Sequence, residues 1–85
     1  MATNPDRIAA AMARLQQLVG ELPAGPDTPE DLMREHLTEA QSYLRNSSPE
    51  EYRLNLKLAR EILPDIHDEH IRGHIDEFLK QELAE

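Results

Sequence analysis

NSSPEEYRLNLKLAREILP, residues 46–64, is the stretch that decides the fold class. Ser48-Pro49-Glu50-Glu51 carries the signals of a helix start. Ser48 and Glu51 have the spacing of a capping box, and Pro49 falls at the first helical position, where its missing amide removes no internal bond. Tyr52, Leu54, Leu56, Leu58, Ala59, Ile62 and Leu63 follow, spread around much of the helical wheel. A helix apolar on most sides is expected to be central and largely buried. Pro64 interrupts it, because proline lacks an amide donor and pushes Leu63 away from α geometry.

Upstream, the same punctuation recurs. Thr28 is expected to cap a helix with Pro29 at its first position and Asp31 at its third. Leu32, Met33, His36, Leu37, Ala40 and Leu44 recur at three- and four-residue spacing and predict its inner face. Before it, residues 23–29 hold three prolines and a glycine, a stiff extended connector. Asn4-Pro5-Asp6 opens a first helix by the same logic, with Asn4 as its cap and an acid in the positive first turn. Downstream of Pro64, Asp65, Asp68 and Glu69 suit a fresh helix N-terminus, and Ile66, Ile71, Ile75, Phe78, Leu79 and Leu83 supply an inward row. Gly73 weakens that helix by about 1 kcal/mol relative to alanine and is expected to mark a close helix contact.

The expectation is an all-α fold, a small three- to four-helix bundle, with helices near 5–21, 29–46, 49–63 and 65–83. The chain, 85 residues long, has material for one domain. Residues 1–22 form an N-terminal helix or arm, 23–28 the proline-rich linker and 29–85 a three-helix compact part. A single core of this size is marginal, and with no cysteine there is neither disulfide nor thiolate metal site to reinforce it.

Acids outnumber Lys and Arg 17 to 9, for a net charge of -8. That balance opposes binding to nucleic acid or an anionic membrane. Residues 1–26 are neutral, with Asp6 and Glu21 against Arg7 and Arg14, whereas residues 61–85 are strongly acidic. No apolar run approaches the roughly 20 residues of a membrane span. The N-terminus lacks a basic segment followed by an apolar one, so a cytoplasmic location is expected.

Two groups of residues are candidates for function. His67, His70 and His74, at i, i+3 and i+7, are expected on one side of the fourth helix, where two or three imidazoles could take a nickel, copper or zinc ion, with a neighbouring acid or His36 completing the set. No HExxH pattern accompanies them, and histidines commonly border an apolar face, so no resident cofactor is expected. The second group is the apolar seam of the first helix: Ile8, Met12, Leu15, Leu18, Val19 and Leu22. A helix of that length is marginal alone and must bury its seam. A second copy of the chain is the expected cover, by pairing or by exchange, with folding back onto the chain's own helices the other route.

Enzyme chemistry is not expected. Ser42, Ser47 and Ser48 sit in no nucleophile elbow, and no glycine-rich loop could cradle phosphate. Most carboxylates read as solvated faces, with ion pairs such as Glu30–Arg34 and Glu77–Lys80. The expected function is a small acidic protein–protein interaction module, homodimeric, recognising its partner through helix faces. Two alternatives stand beside it: a metal-binding or metal-responsive protein, and an acidic inhibitor that imitates a phosphate backbone to a nucleic-acid-binding protein.

Overall fold

In a computed structural model, residues 5–84 are described apart from 24 and 26. Among them are four α-helices and no strand: α1 (Pro5–Glu21), α2 (Pro29–Arg45), α3 (Pro49–Ile62) and α4 (Glu69–Glu82), with a 3-10 turn at Leu63–Asp65 between the last two. The all-α bundle expected from the sequence is thus the fold. The expected cap Asn4 and the connector's Pro26 lie outside the described residues.

The helices begin where backbone chemistry places them. Thr28 Oγ1 accepts the Asp31 amide at 3.1 Å, capping α2 with Pro29 at its first position. The capping box expected at Ser48 and Glu51 does not form, and the Ser48 hydroxyl makes no cap bond. The cause lies one residue earlier. Ser47 takes a left-handed φ of 58° and closes α2, with Ser48 N donating to Tyr43 O at 2.9 Å and Ser47 N to Leu44 O at 3.3 Å. This six-to-one and five-to-two pair is a Schellman motif, usually built on glycine. Because it takes up the Ser48 amide, Glu51 has no donor to cap.

The start of α4 is also displaced from expectation. Pro64 does not begin a helix near Asp65; it seeds the 3-10 turn, after which Ile66 is extended and buried. The helix waits for Asp68, whose Oδ1 accepts the amides of His70 at 2.9 Å and Ile71 at 3.2 Å. A carboxylate on two free amides at a positive helix end is a stronger nucleation signal than the acid in the tight turn.

The core draws on every helix. Leu15 and Leu18 of α1 and Leu22 just after it meet Met33 and Leu37 of α2, Leu56 and Ala59 of α3, and Ile75, Phe78 and Leu79 of α4. The most extensive pairing is the α2–α3 hairpin, and α1 packs against α2 and α4. The N-terminal helix is therefore set off along the chain by the connector but not in space. The Arg34 guanidinium fastens its end by donating to Leu22 O at 2.6 Å, where the helix dipole favours a cation. At the opposite end, buried Tyr52 donates its hydroxyl to Glu82 Oε1 at 2.6 Å, tying α3 to α4. Burial, reinforced by the Glu82 carboxylate, pushes the Tyr52 phenol above its ordinary range, so it remains a donor.

Two further expectations give way. A Cβ at Gly73 would meet nothing within 4 Å, so this glycine marks no close contact. And α3 is not buried on most sides: Leu54 and Leu58 face outward, because α1 and α4 pack elsewhere and nothing covers that side.

Candidate functional site

The histidines separate once the chain folds. His67 precedes α4, so only His70 and His74 share the helix. Their rings lie 4.2 Å apart, tilted by 57°. His67 turns to α2, where its backbone amide and Nδ1–H both donate to Glu30 Oε2, at 3.0 and 3.2 Å. His74 Nδ1–H donates to Glu21 Oε2 of α1 at 3.2 Å. His36 donates from Nδ1 to the buried Asn55 Oδ1 at 3.2 Å, within the α2–α3 hairpin. Among the described residues, no three His, Cys, Asp or Glu side chains are grouped to hold a metal ion. Two of the three histidines, His67 and His74, join elements of the fold. The His67 amide holds the Glu30 carboxyl below its ordinary range and ties the start of α2 to the entry of α4, while His74 ties α4 to the end of α1.

These bonds also replace ion pairs expected along single helices. Glu30 answers His67 rather than Arg34, and Lys80 pairs with Asp76 at 2.9 Å rather than with Glu77. The acids of α4 consequently present an interrupted row, with Asp76 and Glu69 both close to cations of their own helix.

The seam of α1 is covered from within. Leu15 is 0 % exposed, Leu18 and Leu22 are buried, and Ile8, Met12 and Val19 are half-buried. For a second copy to take this seam, α1 would have to leave its own core and dock in the same place on the other chain.

What stays uncovered is the outer side of the α2–α3 hairpin. Leu54 is 57 % exposed, Leu32 44 % and Leu58 38 %. They belong together. The His36–Asn55 contact marks where the two antiparallel helices face each other on this side. Leu32 lies one turn before His36, and Leu58 one turn after Asn55. Ile62, one turn further along α3, shares a shallow depression with Leu32, bounded by Asp27, Asp31 and Asp65. Leu54, Leu58 and Ile62 thus form an i, i+4, i+8 row, and Leu32 reaches it from α2.

The surroundings of this row are mainly of one sign. Glu35 and Glu39 stand on the Leu32 side of α2, and Glu51 and Glu61 lie three residues from Leu54 and Leu58; all four are exposed. Most cations of the hairpin turn away. Arg34 reaches to α1 and Arg53 to Glu82 O at 3.5 Å, whereas exposed Lys57, three residues after Leu54 and four before Glu61, flanks the row. The result is an apolar row with a mainly negative rim, in which Lys57 is outnumbered by the acids. Sequence reasoning missed it by reading these leucines as core. The available signal was that Leu54 and Leu58 share a row distinct from that of Leu56, Ala59 and Leu63.

No helix among the described residues is long and apolar enough to cross a membrane. No family model, curated protein or solved structure matches this chain.

Proposed function

We propose that this protein is a small acidic protein–protein interaction module that recognises an unlike, basic partner through the outer side of its α2–α3 hairpin. One observation carries the reading: three large leucines remain exposed together on a chain whose other large apolar side chains are buried or half-buried among the described residues. Adjacent apolar exposure with a polar rim is the common form of a recognition surface. The rim selects the partner, since carboxylates that outnumber the flanking Lys57 favour a positively charged surface and steer its approach. They also oppose a second copy, which would present the same acids to its twin. A dimer formed by exchange of α1 would leave this face free, so the two forms of association are separable.

The test is comparative capture from the source cells. The intact protein and a Leu54→Ser, Leu58→Ser variant of equal helicity are used as baits, each at low and high salt. A protein held by the intact bait, lost with the variant and weakened by salt supports the reading. The same proteins on both baits would refute it.

A further inference from the structure

We infer that the partner's docking segment is itself a basic amphipathic helix, laid along the Leu54–Leu58–Ile62 row with its apolar side against the leucines and its cations over the flanking acids. This deepens the reading above and rests on it. The geometry of the face narrows the choice among modes of peptide recognition. An extended segment gains affinity by pairing its backbone with an open sheet edge, and the described residues contain no strand. A proline-rich segment docks into grooves lined by aromatic rings; this row is aliphatic, and Tyr52, Tyr43 and Phe78 are buried in or packed against the core. A helix is complementary to what is present. The row runs along α3 for two turns, about 12 Å, and a partner helix with apolar residues at i, i+3 or i+4 and i+7 repeats that period.

Charge fixes the remaining chemistry. The acids of the rim are Glu35 and Glu39 on α2 and Glu51 and Glu61 on α3, with Asp31 and Asp65 at the end near Leu32, and they outnumber the one flanking cation, Lys57. Cations on both flanks of an apolar face would meet them, and salt would weaken the complex.

The experiment is a fluorescence-anisotropy titration of the full chain with synthetic peptides of about 15 residues, long enough to form a docked helix. Three probes are used: leucine and lysine ordered for a helical apolar face, the same composition in strict alternation, and the helical order with glutamate in place of lysine. The expected result is micromolar binding of the first, at least about tenfold tighter than the other two, and weakened about tenfold by Leu54→Ser with Leu58→Ser. Leu32→Ser, on the other helix, gives a second reading should the double variant lose helicity. If the two lysine peptides bind equally and both depend on the leucines, the docking face stands and the helical partner falls. If binding ignores all three leucines, the face itself is wrong. If the glutamate peptide matches the lysine one, the charge complementarity is wrong.

Discussion

Leu54 and Leu56 stand two residues apart on α3, yet Leu56 is fully enclosed and Leu54 is 57 % exposed. Two residues along a helix turn a side chain by more than half a circle, so one leucine serves the bundle and the other faces outward. Their substitutions should differ accordingly. Leu56→Ala opens a cavity in the core and should cost about 2–5 kcal/mol. Leu54→Ser removes little enclosed surface and should change stability by less than about 0.5 kcal/mol. Chemical denaturation of the two variants measures both. A large loss from Leu54→Ser would mean that this side is covered after all.

Opposite substitutions at two positions should both stabilise the protein. Ser47 holds a left-handed φ in the Schellman turn, where glycine escapes the steric cost, so Ser47→Gly should stabilise by about 0.5–1 kcal/mol. Gly73 lies mid-helix with open space beyond it, so Gly73→Ala should stabilise by about 1 kcal/mol. Both gains would appear as a higher thermal midpoint, and a loss at Gly73 would show that a neighbour does approach it.

Glu30 predicts the acid limb of stability. Its folded carboxyl lies below the ordinary 4.5 because it accepts the His67 amide. The unfolded chain therefore binds the proton more readily in the interval below 4.5, and stability rises with pH there. The contribution is complete above that value and is lost as pH falls through the lowered one. Glu30→Gln should flatten the pH dependence of the denaturation midpoint below pH 4.5, leaving the curve above it parallel to the intact chain's. An unchanged acid limb would show that the Glu30–His67 link does not form.

Because Leu15 is sealed inside its own chain, Leu15→Asp should abolish helicity rather than separate subunits, since an unpaired charge cannot be accommodated in the core. Light scattering of the intact protein at tens of micromolar should report a monomer. A dimer that dissociates only on unfolding would point to exchange of α1 between copies.

Much of the fold was legible because prolines mark it. Pro5, Pro29 and Pro49 are the first residues of α1, α2 and α3. Pro64 misled, since a proline after a helix can begin a 3-10 turn as readily as a new helix, and the deciding signal was the two-amide cap at Asp68. The histidine cluster was visible as spacing, but its partners Glu30 and Glu21 lie 37 and 53 residues away, a distance no local pattern spans. The recognition face was hidden for a related reason. Whether Leu54 and Leu58 are core or surface depends on where α1 and α4 pack, not on α3.

The recognition face is tested most directly by methyl NMR of the intact chain titrated with the helical leucine–lysine peptide. The largest shifts are expected at Leu32, Leu54, Leu58 and Ile62, with Leu15, Leu18 and Leu37 of the core nearly unmoved. Shifts centred on α1 or α4, with those four methyls silent, would contradict it.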